Sequence, residues 1–400
     1  MNNTFKLYYI SSLVAVIGNA VSQIAVSWYI SSMISHAHLA YLIASTFLCT
    51  FLFSVLLSPI IDRNNPIRIY RISVVGRIIL LIVTIVLLKL LEGSIGPLVL
   101  LLIIQSILTV MGSNTSFKIV KYIVPEEKLL KANALLTANS RTGYLIGMFL
   151  GGILIKYLNI DTVLIIEVIG YCLSLGLLFF ISINNYVGSQ NTSKYFKNIW
   201  EGFSYIANNK WIMVVILIAV IANMAITPTN TLLAPYVQEV LKESSLTFSV
   251  IEILMIVGGI LSSLITSKIS KHLEKKGILL NLFITSASLQ SISVILLGFH
   301  IMKIPVFIYF FIIGVSVAIF NIPFVTILQK NIPSDISGRV WSLLVAISTL
   351  FSSLFYYLSG YLVSVFSLKI VFFNFGLISL IFLVLTFLIF GKLLKKSIKV

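Results

Sequence analysis

Twelve apolar runs follow one another along this chain, from 7–33 and 38–61 at one end to 339–366 and 369–391 at the other. A helix that crosses the hydrocarbon core of a bilayer needs about 20 such residues. Inside lipid every backbone N–H and C=O must find a partner, which leaves helices and closed barrels as the spanning forms. Barrel strands alternate apolar and polar residues. These runs are continuous, so they predict helices. Of 400 residues, 59% are hydrophobic and 10% charged, whereas an ordinary soluble domain carries roughly 25% charged residues. So apolar a chain cannot cover a water-facing surface, which excludes a soluble enzyme. The expected fold is all-α and integral to the membrane, with twelve transmembrane helices in two six-helix bundles.

The net charge of +16 would suggest a nucleic-acid partner in a soluble protein. Its placement says otherwise. With the N-terminus inside, 22 of the 28 Lys and Arg fall on inner loops, the central linker and the two termini, and five fall on outer loops. Positive charge collects on the cytoplasmic side of membrane proteins. The expectation is therefore a multi-pass protein of a bacterial cell membrane, with both termini cytoplasmic and no nucleic-acid partner. The first run is too long for a signal-peptide core and has no small-residue cleavage site after it.

Shifting the chain by 208 residues lays Pro125 on Pro333, Glu127 on Asp335, Lys131 on Arg339 and Leu135 on Leu343. The same shift lays Arg63 on Lys271, Arg68 on Lys276 and Gly152 on Gly360. One shift that aligns separate loops predicts a parallel repeat of two halves. The expected domains are 1–183, a cytoplasmic linker 184–210 and 211–400. Within the linker, Phe196, Ile199, Phe203 and Ile206 share a helical face, as in a helix lying on the membrane surface.

Two motifs carry a resemblance. Ser58-Pro-Ile-Ile-Asp62-Arg63-Asn-Asn-Pro-Ile-Arg68 resembles the G-x-x-x-D-R-x-x-R-R/K loop of the major facilitator superfamily. Gly143-x-x-x-Gly147-Met148-x-x-Gly151-Gly152 resembles that superfamily's antiporter motif, G-x-x-x-G-P-x-x-G-G. Ile123–Leu135 and Ile332–Leu343 look like inner loops of its macrolide-efflux and enterobactin-exporter branch. Ser58, Pro66, Ile67 and Met148 depart from the patterns. The resemblance implies export coupled to inward proton flow, by alternating access around a small molecule held between the halves, with the protein working as a monomer.

Candidate residues follow from these readings. Asp62, Arg63 and Arg68, set against Gly338 and Arg339, are the expected inner gate: a carboxylate is unfavourable at a helix C-terminus and favourable beside a cation or a helix N-terminus. Gly143, Gly147, Gly151 and Gly152 are the expected seam between the halves, since small residues let helix backbones approach. Glu126 and Glu127, after Pro125, read as a helix start.

Arg141, Glu167 and Glu252 are the ionisable residues assigned to spans, and such groups need a partner or a wet cavity. Glu252 is the expected proton-responsive carboxylate, and Arg141 its partner or the partner of an anionic substrate group. Glu167 reads as structural first and as a coupling residue second, because the resemblance places its span outside the central cavity. Asn19 and Gln23 on the first span, and Asn223, Thr227 and Asn230 on the seventh (where Pro228 should break the helix), are expected to line the substrate path. Gln290 and Asn321, with Gln105, Thr109 and Ser286, extend that polar set.

No cofactor and no metal are expected. Cys49 and Cys172 sit in apolar runs, His36 and His38 are too few for a metal site, and no phosphate-binding loop is present. Two substrate classes stay open: foreign amphipathic compounds of macrolide type, and a self-made siderophore or metallophore. A membrane enzyme acting on lipids would need clustered carboxylates or histidines at an inner loop, and the inner-loop acids are scattered.

Overall fold

The computed structural model describes residues 3–91, 94–125, 129–183, 193–268, 278–299, 303–332 and 334–397. All regular structure among them is helical. In chain order the helices are α1 (Asn3–Met33), α2 (His36–Arg63), α3 (Pro66–Leu90), α4 (Gly96–Ile123), α5 (Leu129–Tyr157), α6 (Ile160–Phe179), α7 (Ser193–Asn208) and α8 (Lys210–Ala225). The short α9 (Thr227–Thr231) and α10 (Leu233–Pro235) and a π-helical turn (Tyr236–Val240) follow. The remainder are α11 (Ser245–Lys268), α12 (Ile278–Phe299), α13 (Lys303–Asn331), α14 (Ser334–Val365) and α15 (Leu368–Ser397).

Each of the twelve apolar runs is helical. Among the described residues, 10 helices are long and apolar enough to cross a membrane, or 11 if α8 is joined to the end of α7 across a 99° bend. The surface agrees with a lipid solvent. Leu388 and Ile389 on α15 are 73% and 67% exposed, as expected when the medium is as apolar as the side chains.

The seventh run breaks where proline demands it. Pro228 has no N–H to donate and its ring crowds the carbonyl four residues earlier. α8 accordingly ends at Ala225, and α9 restarts with Pro228 in its first turn. At the other boundary of interest, α14 starts at Ser334 rather than near Gly338. Gly338 and Arg339 therefore lie one turn inside the helix.

Grouped by contacts, the chain forms two compact units. Unit 1 is Met1–Ile34, Ser45–Thr192 and Ser245–Ser249; unit 2 is Ser35–Ala44, Ser193–Ser244 and Val250–Val400. In unit 1, α1 packs on α5 and α6, and α3 on α4 and α6. In unit 2, α8 packs on α15, and α12 on α13 and α15. Under the 208-residue shift these are the same pairings, so the repeat read in the loops is also a repeat of packing. α7 belongs to unit 2 and is amphipathic: Ile206 is buried, while Trp200 and Phe203 are exposed and stacked at 5.9 Å.

The first ten residues of unit 2 are held by several of its own elements. His36 Nε2 pairs with Glu239 Oε2 at 2.8 Å. Tyr41 stacks on Tyr357 at 4.7 Å, and Ser353 Oγ donates to the Ala44 carbonyl at 2.9 Å.

Candidate functional site

Unit 1 holds a buried polar cluster built on α1, α3, α4 and α6. Glu167, 1% exposed on α6, accepts hydrogen bonds from Asn19 Nδ2 (3.0 Å), from Ser22 Oγ and from Gln105 Nε2 (3.2 Å). Asn19 and Ser22 are three residues apart on α1, hence on one face. Gly18, beside them, brings the two helices together: a Cβ there would lie 3.4 Å from the Glu167 Cα.

One turn along from Glu167 and from Gln105 stand Tyr171 and Thr109. Arg77 of α3 joins them. Its Nη1 donates to the Tyr171 hydroxyl at 2.6 Å and its Nη2 to Thr109 Oγ1 at 2.9 Å. The guanidinium carbon also sits 5.4 Å from the Tyr171 ring centre, within cation–π range. Thr109 spends its own proton on the Gln105 carbonyl at 2.7 Å, which leaves its oxygen free to accept. Arg77 Nε is buried and unbonded among the described residues.

The 22 inner-side cations counted from the sequence include Arg77, taken with Arg63, Arg68 and Arg71 as the loop after the second run and its flank, and for Arg77 the structure corrects this. It lies inside α3, eleven residues from Pro66, or about 16 Å along the axis at about 1.5 Å per residue. It was findable as a cation inside the run 70–91. Glu167, read from the sequence as structural first and as a coupling residue second, unites α1, α4 and α6 through its hydrogen bonds.

Arg141, expected to pair with Glu252, is exposed on α5 and makes no ion pair among the described residues. Glu252 is half-buried on α11 and also lacks a polar partner among them. Gln23 is exposed on α1, outside the cluster.

Three of the four seam glycines, Gly143, Gly147 and Gly151, face α1. A Cβ on Gly147 would lie 2.6 Å from Ala20 Cβ and from the Ile17 carbonyl, and one on Gly151 would lie 2.8 Å from the Val21 carbonyl. Gly143 faces Leu13 and Val16 at 3.1 Å. Gly152, about 100° further round the helix, meets Ser249 at the start of α11 instead. Four-residue spacing defines a face, and it does not name what that face meets.

Unit 2 holds a cavity of 240 Å³. It brings together three residues expected on the substrate path: Asn223 of α8, Gln290 of α12 and Asn321 of α13. Its aromatic wall, Phe320, Phe324 and Trp341, was not foreseen, because nothing distinguishes these rings from the other apolar residues of the chain. Phe320 and Phe324 stack at 6.0 Å, and Trp341 lies 6.4 Å from Phe324. Asn223 and Asn321 each donate an amide N–H to their own helix, to the Ala219 (3.0 Å) and Val317 (2.8 Å) carbonyls.

Thr227 and Asn230 lie elsewhere: Thr227 donates to the Asn223 carbonyl at 3.1 Å, and Asn230 Nδ2 reaches the Tyr356 hydroxyl at 3.4 Å. Arg68 is exposed at the start of α3. The side chains of Asp62, Arg63, Gly338 and Arg339, and Glu126 and Glu127 entirely, lie outside the described residues. No group of His, Cys, Asp and Glu among the described residues is arranged to hold a metal.

Comparisons agree with this architecture. The uncharacterized MFS-type transporter YvqJ of Bacillus subtilis (strain 168) is 23% identical over 257 residues, which covers 62% of this chain and 60% of that one. The chain thus matches about three-fifths of the length of that relative. A solved POT family transporter in complex with a thioalcohol-conjugated peptide is similar with a TM-score of 0.79 and 12% identity, over 98% of this chain and 96% of that chain. The nucleoside transporter NupG is similar at 0.74 and 13% identity, over 97% and 99%. A bacterial homologue of the iron transporter ferroportin, in its inward-facing state, is similar at 0.75 and 15% identity, over 98% and 99%. At such identities these likenesses establish the fold alone. The sequence pattern of the Major Facilitator Superfamily matches residues 8–356, most of the chain, and the protein belongs to that superfamily of membrane transporters.

Proposed function

We propose that this transporter is a proton-coupled exporter of a small organic molecule, working as a monomer by alternating access in a bacterial plasma membrane, with both termini cytoplasmic. The observation that carries the coupling is the buried Glu167 cluster. A carboxylate inside a span is held by three neutral donors from α1 and α4, and the Arg77–Tyr171–Thr109 group adjoins it one turn away. Taking up a proton turns one of its acceptor oxygens into a donor and removes the charge its neighbours address. Three helices that pack around one another then lose or exchange hydrogen bonds together, which is the kind of local charge change that biases a two-state element. Glu252, without a polar partner among the described residues, is the second proposed carboxylate. Export rather than import is supported by the likeness of the Gly143–Gly152 series to the antiporter motif.

The test is uptake of labelled candidate compounds into inverted vesicles, with and without an acid interior. The expected result is gradient-driven uptake that Glu167→Gln abolishes, while exchange of substrate down its own gradient persists. Full gradient dependence in the Glu167→Gln variant would move the coupling elsewhere, and Glu252→Gln is the variant that then locates it. Uptake indifferent to the gradient in the unaltered protein would overturn proton coupling.

A further inference from the structure

The cavity of unit 2 is a built site with an unspent group in it. Gln290 is 2% exposed and lines the cavity, yet its amide has no hydrogen-bond partner among the described residues. A primary amide carries two N–H donors and a carbonyl acceptor, and all of them are available to a ligand in the cavity. Its neighbours complete the pattern. Asn223 and Asn321 each give one N–H to their own helix, which leaves a second N–H and the carbonyl oxygen of each to address a ligand. The opposite character comes from Phe320, Phe324 and Trp341, whose rings lie 6.0 and 6.4 Å apart in sequence along one wall.

No described residue lining this cavity is ionisable. A charged ligand group would enter without a counter-charge, at a high desolvation cost. Size narrows the class further. An apolar cavity of about 150 Å³ holds benzene, so 240 Å³ takes a substituted or fused bicyclic ring, or that part of a larger molecule.

We propose that this cavity binds an uncharged, planar aromatic ring that carries both a hydrogen-bond donor and an acceptor, with Gln290 as the group that reads the pair. The ring lies against the aromatic wall and its donor–acceptor edge engages the Gln290 amide, with the Asn223 and Asn321 amides lining the same cavity. This names the substrate class within the transport reading and rests on it. A carboxylate-rich metallophore does not fit this lining.

The test uses the purified full chain in nanodiscs and three isosteric radiolabelled probes: neutral 2-quinolinone, anionic quinoline-2-carboxylate and cationic N-methylquinolinium. Equilibrium dialysis, corrected for partition into empty nanodiscs, should show saturable binding of 2-quinolinone above the other two. Gln290→Leu should weaken it about tenfold, the worth of a lost hydrogen bond or two, and Phe324→Ala should weaken all ring binding. Should Gln290→Leu fail to fold, Asn321→Leu reads the same edge. Equal or tighter binding of either charged probe overturns the proposal, as does unchanged affinity in both amide variants. Gradient-driven movement of a charged compound without 2-quinolinone binding sinks this assignment and leaves the transporter reading standing. Saturable 2-quinolinone binding with no gradient-driven movement sinks proton coupling instead.

Discussion

A guanidinium cannot lose its proton in a protein, so Arg77 keeps its charge inside α3 and has to be solvated by the side chains around it. Tyr171 and Thr109 take two of its N–H groups, and the Tyr171 ring takes the face. Hydrogen bonds to charged groups contribute about 1.5–3 kcal/mol each. Arg77→Leu loses two such bonds but also removes the cost of burying the charge, so it should lower the unfolding free energy of the purified protein by about 2 kcal/mol, measured by denaturation in detergent. Arg77→Lys keeps the charge and loses the planar fork, so it should recover only part of that loss. Equal stability of Arg77→Leu and the unaltered protein would mean that the cluster contributes nothing to the bundle. The sequence made Glu167 visible as a carboxylate inside an apolar run. It hid Arg77 among Arg63, Arg68 and Arg71, because cations on an inner loop need no further explanation. Which polar residues meet depends on how α1, α3, α4 and α6 are rotated against each other, and one-dimensional spacing does not carry that angle.

At the scale of the helix, α5 and α1 approach through three glycines. A side chain at Gly147 meets the Ile17 carbonyl and the Ala20 methyl, and neither can swing aside. Gly147→Ala should cost about 1–3 kcal/mol as an overpacked contact. Gly176 on α6 is the matched control, since a Cβ there meets nothing within 4 Å. Gly176→Ala should be neutral or mildly stabilising, within about 1 kcal/mol, because alanine is the better helix former. Thermal unfolding of the two variants side by side checks the pair, and similar losses in both would show that helix propensity rather than the α1–α5 contact decides. The elements were largely legible. Continuous apolar runs located the long helices, and Pro228 located the break in the seventh. The partner of the glycine face was not legible, nor was the aromatic wall around Gln290, because a Phe toward lipid and a Phe toward a cavity are the same letter in an apolar run.

For the whole molecule, the 208-residue repeat and the charge asymmetry were both readable, and they bear on different things. The repeat specifies packing, and α1–α6 with α3–α4 in unit 1 recur as α8–α15 with α12–α13 in unit 2. The asymmetry predicts an orientation, and moving Arg77 from the loops into α3 leaves it nearly intact. Ser94, between α3 and α4, should then face outward, and Ser397, at the end of α15, should face the cytoplasm. With Cys49 and Cys172 changed to Ser, a cysteine at Ser94 should react with a membrane-impermeant maleimide in intact cells. One at Ser397 should react only after the membrane is opened. Both positions reacting in intact cells, or Ser397 alone, would invert the topology and with it the inward direction proposed for proton flow. The cation count gives that result little room. An inverted chain would carry most of its Lys and Arg on outer loops, against a bias that acts on each short loop as it inserts.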